Sequence, residues 1–269
     1  MMLKQKIGLI GVGNMGAAIL EGIFRKKIAS PHSVWIYDKI SRKSSGFVRN
    51  WKVHRAHSVK EVVEHSDLVL LAVKPQDLTV LGPEIKQVAR PGHLLISILA
   101  GTPVAKLRRC VGRKPGIVRA MPNLGARVGE AVTALTGDTG VALTSAGKIF
   151  SGCGKTVRIG EKYFDLVTAI SGSGPAYFFL LMELLAETGR QCGLPRAQSE
   201  LLAVQTAVGA ALLAQASPLS PAELRQNVTS RKGTTEAALQ VLKKKKFGQI
   251  FRQAVLAARA RGRQLSRGM

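Results

Sequence analysis

Residues Lys6–Gly16 read KIGLIGVGNMG, and this stretch decides the fold. Lys6–Ile10 is a short apolar run bounded by a turn signal, the pattern of a buried strand. It leads straight into Gly11-Val12-Gly13-Asn14-Met15-Gly16, and a helical apolar period follows over Met15–Phe24. A G-x-G-x-x-G turn between a strand and a helix is the setting in which a dinucleotide binds. Gly11 permits the tight turn. Gly13 lets a pyrophosphate approach the backbone, and Gly16 lets the helix lie against the strand. With Val12, Asn14 and Met15 they form the expected phosphate loop.

Outward from this turn, short apolar runs alternate with amphipathic ones. Strands are expected at Val34–Tyr37, Leu68–Val73, Leu94–Ile98 and Ile117–Arg119, with helices at stretches such as Val59–Glu64 and Pro103–Cys110. That alternation implies a parallel, doubly wound sheet of the Rossmann type with right-handed crossovers. Ala131–Leu135 and Lys155–Ile159 are expected to extend the same sheet. From about Tyr163 the β-branched runs fade. Long Ala/Leu-rich periods take over at Pro175–Gln191, Arg196–Ala216, Pro221–Val228, Thr234–Lys243 and Phe247–Gln264. The chain therefore reads as α/β. A dinucleotide-binding Rossmann domain over 1–161 precedes an all-α domain over 162–269.

Leu201–Ala216 reads LLAVQTAVGAALLAQA and is apolar nearly all round. A helix without a polar face must be covered on every side. Five helices in one small domain offer little cover, so a second copy of the chain is expected over it; the alternative is a central helix buried within a monomer. The run contains Gln205 and Gln215 and looks too short to span a bilayer.

At 269 residues the chain can bury a substantial core. Three widely spaced cysteines (Cys110, Cys153, Cys192) give no disulfide framework or metal spacing and suit a reducing cytoplasm. Gly8, Gly11, Gly13 and Asn14 interrupt the N-terminal apolar run, which argues against a signal peptide. The net charge of +24 favours anionic partners. Much of it is local, in Lys243–Lys246 and the arginines from Arg252 to Arg267. That region reads as a solvated face rather than a nucleic-acid or membrane surface.

Asp38 ends the second strand about 20 residues after the glycines, where an acid accepts ribose hydroxyls. Lys39, Arg42 and Lys43 follow at once and suit an additional phosphate, so NADPH is favoured, with NADH possible. Three further segments fall at strand ends, where such sheets bind ligands. They are Ala72-Val73-Lys74-Pro75, the Ala100-Gly101 turn, and Met121-Pro122-Asn123. Late in the chain, Ile170–Tyr177 reads ISGSGPAY. Proline fits the first turn of a helix, and glycines before it bare their N–H groups. Ser173 and Gly174 are thus expected at a helix N-terminus open to a carboxylate.

Taken together, GVGNMGAAI, AVKPQ, the S-x-x-AG turn, RAMPN, VTAISGSGPAY and VTSRKGTT resemble the pyrroline-5-carboxylate reductase family over almost the whole chain. The resemblance implies NAD(P)H-dependent reduction of a small cyclic imine, 1-pyrroline-5-carboxylate, to L-proline. It also implies a helical C-terminal domain that intertwines with a second subunit, as a homodimer or a ring of dimers. Two departures stand out. Leu124-Gly125 replaces the family's Thr-Pro, and Arg231-Lys232 replaces its Pro-Gly.

Such a reduction needs a placed hydride, a proton on the imine nitrogen and a grip on the substrate carboxylate. Ser230, Gly233, Thr234 and Thr235 precede a helix, where they either cap it or bind an anion. None of the five histidines accompanies the glycine motifs, and no metal-ligand spacing is present. Thr168 is the candidate for the imine nitrogen; the alternative is a hydroxyl bonded to its own helix. A 3-hydroxyacid dehydrogenase shares the layout but wants a lysine a turn after its glycine loop. Here Pro175, Ala176, Tyr177, Phe178 and Phe179 stand there. That dehydrogenase is the closest rival, and another imine reductase is the other alternative.

Overall fold

The computed structural model describes residues 2–267. By packing, the chain divides into two units. One runs through Gly172 and takes in the segment from Ala258 onward; the other is Ser173–Ala257.

The first unit is built on an eight-stranded sheet. Its elements are β1 (Ile7–Ile10), α1 (Asn14–Arg25), β2 (Val34–Tyr37), α2 (Ser41–Trp51), β3 (His54–Arg55), α3 (Val59–Glu64) and β4 (Leu68–Leu71). There follow α4 (Leu78–Val88), β5 (Leu94–Ser97), α5 (Val104–Val111), β6 (Gly116–Met121), β7 (Ala131–Gly137), α6 (Gly140–Phe150), β8 (Gly154–Arg158) and α7 (Phe164–Val167). Strand order is 3-2-1-4-5-6-7-8. Every residue of β1, β4 and β5 is buried, as parallel strands covered on both faces must be. Alternate side chains feed two cores. Leu9, Leu70 and Ile96 join Ile19, Ile23 and Phe150 on one face. Ile10, Leu71 and Leu95 join Val62, Leu78 and Leu107 on the other.

One expectation needs correction, because the sheet is not wholly parallel. β7 and β8 extend it, but β7 runs antiparallel to β6. The segment 122–130 between them is too short for a crossover, which takes a dozen residues or more. The α6 crossover then makes β8 parallel to β7.

Helical structure begins soon after β8. Phe164 and Ala169 are fully buried within the sheet-bearing unit, so packing divides the chain at Gly172 although the strands end at Arg158.

The second unit holds α8 (Gly174–Gln191), α9 (Arg196–Ala216), α10 (Pro221–Asn227), α11 (Thr234–Lys244) and the start of α12 (Phe247–Arg267). α8 and α9 form a hairpin broken at Gly193, whose φ is 95°. The helices meet closely at Gly189, where a Cβ would lie 2.2 Å from Ser199 Oγ. That hydroxyl donates to the Ala186 carbonyl at 2.6 Å. The outer faces are open. Phe178 is 63% exposed and Leu201 66%, with Phe179, Leu185, Leu212 and Leu213 beside them in kind. The helical runs Glu161–Gln191 and Arg196–Ala216 are each long and apolar enough to cross a membrane by length and composition. The second run is the Arg196–Ala216 helix that the sequence predicts, five residues longer than its apolar stretch from Leu201.

Candidate functional site

The glycine turn follows β1 and opens α1, as its spacing requires. Gly11 has φ 100°, and a Cβ there would lie 2.6 Å from the Ala72 carbonyl oxygen. Gly13 has nothing within 4 Å of its Cβ position, so the space above the loop is clear. The loop is braced from β2. Asp38 accepts the Val12 N–H on Oδ2 at 2.8 Å and the Ile40 N–H on Oδ1 at 2.9 Å. The Gly11 N–H donates to the Tyr37 carbonyl at 2.8 Å. Asp38 therefore braces the glycine loop through Oδ2 and its own β2–α2 turn through Oδ1, a role its position alone did not reveal.

A cavity of about 600 Å³ opens beside the loop, bordered by Gly11, Gly13, Asp38, Lys43, Val73 and Lys74. Another of about 510 Å³ lies along α1, bordered by Gly13, Asn14, Lys43 and Arg127. Lys43 borders both and Arg42 borders neither. The sequence named Arg42 and passed over Arg127, which comes from the distant β6–β7 connection. Lys39 pairs with Asp77 at 3.3 Å across the cleft wall.

Ala72–Pro75, Ala100–Gly101 and Met121–Asn123 follow β4, β5 and β6, which are neighbours in the sheet. All three lie at strand ends on the side of the glycine turn. Gly101 has φ 63°, and a Cβ there would meet Leu265 of α12 at 3.0 Å. The side chain of Asn123 accepts the Gly125 N–H at 3.2 Å and caps the short turn Leu124–Val128.

The ISGSGPAY segment differs from expectation. It does not open a helix from a loop. The chain is helical from Glu161 onward, and Thr168–Gly172 forms a π turn that leads into α8. Ser173 is the N-cap of α8 and Gly174 its first residue, as expected, but a π turn rather than an open loop precedes them. The turn is crowded, since a Cβ on Gly172 would lie 2.7 Å from the Met121 methyl. Single π turns of this kind recur at functional sites. The Thr168 hydroxyl donates to the Phe164 carbonyl at 2.8 Å, which leaves its oxygen able to accept. Ser171, not singled out from sequence, has a buried hydroxyl without a partner among the described residues. Such a group is ordinarily satisfied by water or ligand.

In the second unit, Gly233 caps α11 and makes no side-chain cap. A Cβ on Gly233 would lie 2.3 Å from Ser230 Oγ, so the turn Ser230–Gly233 is tight. Lys232 has φ 60°, and its N–H donates to Glu236 at 2.6 Å. The left-handed region costs a non-glycine residue roughly 1–2 kcal/mol. Lys232 bears that cost at the position where the sequence resemblance expects glycine. Thr234 and Thr235 fall in the first turn of α11.

Titratable groups take little part. His54 and His65 stack on Trp35 at 4.5 and 4.1 Å. Burial holds the His93 pKa below its ordinary value, and Arg90 lowers it further. Burial pushes the Cys153 thiol up to about 11, so it stays protonated.

Comparison with known proteins settles the family. Residues 161–265 match the family model for pyrroline-5-carboxylate reductase dimerisation. Residues 6–101 match that for NADP oxidoreductase, coenzyme F420-dependent. The pyrroline-5-carboxylate reductase of Pseudomonas aeruginosa is 35% identical, covering 98% of this chain and 98% of that protein. The chain belongs to the pyrroline-5-carboxylate reductase family. A solved pyrroline-5-carboxylate reductase from Coxiella burnetii superposes with a TM-score of 0.93 at 33% identity, over 98% of this chain and 99% of that one. The Plasmodium falciparum pyrroline carboxylate reductase, solved with NADP bound, gives 0.88 at 31% identity, over 99% and 100%. The match to a dimerisation domain accounts for the apolar faces of α8 and α9 and supports oligomerisation. In this family member the open space over Gly13 leaves room for a dinucleotide pyrophosphate.

Asp38→Asn tests the brace. An amide can accept on one oxygen only, so either Val12 or Ile40 loses its acceptor. The expected result is roughly a tenfold rise in the dissociation constant for NADPH, with a loss of about 1–3 kcal/mol in stability. Fluorescence titration and thermal melts measure both.

Proposed function

We propose that this chain reduces 1-pyrroline-5-carboxylate to L-proline with NADPH, the last step of proline synthesis, and that NADH can substitute. The observation that carries this reading is the match along 98% of the chain to relatives that bear that name. The cleared phosphate loop supports it.

Residues Gly11–Gly16 hold the pyrophosphate against the start of α1. Lys43 reaches the additional phosphate of NADPH, with Arg42 and Arg127 adding charge around it. Ala72–Pro75, Ala100–Gly101 and Met121–Asn123 line the path of the cofactor. Bound there, the reduced nicotinamide supplies a hydride to the imine carbon. The imine enters protonated, and Thr168 accepts its N–H. Because the Thr168 hydrogen is already engaged by Phe164, the oxygen is oriented as an acceptor. It therefore holds the proton on nitrogen while the C=N electrons move there, and a secondary amine results. The substrate carboxylate is gripped by N–H groups and hydroxyls of Ser230, Gly233, Thr234 and Thr235, aided by the charge of Arg231 or Lys232. Ser173 and Gly174 line the substrate side of the π turn.

Residues 162–269 act as the substrate-binding and dimerisation domain, in a homodimer or a ring of dimers. The reaction takes place in the cytoplasm, in keeping with three free cysteines. A 3-hydroxyacid dehydrogenase lacks support, since no lysine follows Gly174 within a turn.

Three measurements test this reading. Purified protein should consume NADPH with 1-pyrroline-5-carboxylate and be slower with the six-membered analogue; Thr168→Ala should lower kcat about ten- to a hundredfold. No turnover by wild type would reject the function, and wild-type turnover in the variant would reject the role of Thr168. Lys43→Ala should raise KM for NADPH roughly tenfold while leaving that for NADH unchanged, with Arg42→Ala the weaker of the two. An unchanged NADPH-to-NADH ratio in both variants removes them as the phosphate clamp. Size exclusion with light scattering should give a dimer or a multiple of it; a monomer would contradict the assembly.

A further inference from the structure

Arg119 lies on β6, two residues before Met121, and only 4% of its side chain is exposed. Its Nη1 donates to Glu161 Oε1 at 3.2 Å. The guanidinium sits 4.5 Å from the centre of the Phe164 ring, a cation–π contact in a desolvated setting. The same Glu161 oxygen accepts the Val104 N–H at 2.7 Å, at the first residue of α5. Phe164 is 1% exposed, and its carbonyl holds the Thr168 hydroxyl. Asp165, the next residue, contributes favourable charge to Arg119 and accepts the Ser266 hydroxyl from the end of α12 at 2.9 Å. One buried cation thus joins four segments. They are the strand leading to Met121–Asn123, the connection from Ala100–Gly101 into α5, the helical turn that presents Thr168, and the last turn of the chain.

An arginine buried beside a carboxylate that is itself 37% exposed is a poor way to gain stability, because apolar side chains of similar volume often do as well. Burial presses the Arg119 pKa down, and Glu161 is the main counterweight. What the planar guanidinium offers beyond an apolar side chain is direction, since its rigid fork and flat face fix two partners at once. Here those partners are the carboxylate that opens the helical run at Glu161 and the ring one turn further on. The Thr168 acceptor lies one helical turn beyond that ring.

We propose that Arg119 is a positioning residue for the reduction: through Glu161 and Phe164 it sets the angle at which Thr168 meets the imine nitrogen. The proposal rests on the role given to Thr168 above. Arg119 itself touches neither substrate nor cofactor in this scheme.

A double-mutant cycle tests it. Arg119→Met keeps an unbranched apolar stem and removes the guanidinium fork. It is expected to lower kcat roughly tenfold while KM for NADPH stays within about twofold, because the phosphate loop is untouched. Arg119→Lys keeps the charge without the fork and should fall between Met and wild type. Combined with Thr168→Ala, Arg119→Met should add less than about a further twofold loss, since the two act through one contact. Losses that multiply in the double variant overturn the proposal. So does wild-type kcat in Arg119→Met, or a KM for NADPH that rises in step with the loss of kcat. If Arg119→Met fails to fold, Glu161→Gln takes its place in the same cycle, with the same outcomes deciding. Thr168→Ala alone at wild-type turnover would instead end the reading of Thr168, which keeps the two failures distinct.

Discussion

A Cβ on Gly16 would stand 2.2 Å from the carbonyl oxygen of Gly11, and the rest of the first unit depends on that missing atom. Without it α1 can start directly over the end of β1, and its first N–H groups can face outward at the edge of the sheet. With it, helix and strand would have to part, and the space over Gly13 would lose its floor. The same close approach recurs at Gly11, whose Cβ would strike the Ala72 carbonyl. β1 and β4 are adjacent, and the chain leaves them in opposite directions across the sheet, so the crevice between their ends is where a ligand fits. Asp38 then ties β2 to the loop through its hydrogen bond from Val12, while its other oxygen holds the turn after β2.

The chemistry assigned to this scaffold uses dipoles and hydroxyls more than titrating side chains. The substrate is a cation at its nitrogen and an anion at its carboxylate. A hydroxyl oxygen held as an acceptor suits the first, and backbone N–H groups at a helix start suit the second. Neither needs a group whose pKa lies near neutrality. The histidines serve elsewhere, two of them stacked on Trp35 near the opposite sheet edge. Lys232 is the place where this chain departs from its family at a physical cost. It occupies a left-handed turn that glycine would take freely, and it brings a cation to the start of α11 in exchange.

Much of this was legible in the sequence. Short, mostly apolar runs of three to six residues marked β1, β2, β4, β5 and β6 within a residue or two, because buried parallel strands leave a near-continuous hydrophobic signature. The helical second half was equally clear from its Ala/Leu periods. The direction of β7 was not, since alternation is the same for either orientation and only the length of the connection decides it. ISGSGPAY carried the signs of a helix start, yet the helix had already begun at Glu161. A π turn has no residue signature of its own, so the widened turn at Thr168–Gly172 shows only in the folded chain.

By itself the sequence determined the sheet-then-helix order, the glycine turn and the family, all of which follow from local periodicity and short-range spacing. Only the tertiary structure decided that Asp38 braces the loop, that Lys43 and Arg127 border the cleft, and that Arg119, Glu161 and Phe164 meet behind Thr168. Those pairings join residues far apart in the chain, and burial and distance, which fix their strength, come into being only when the strands are brought together.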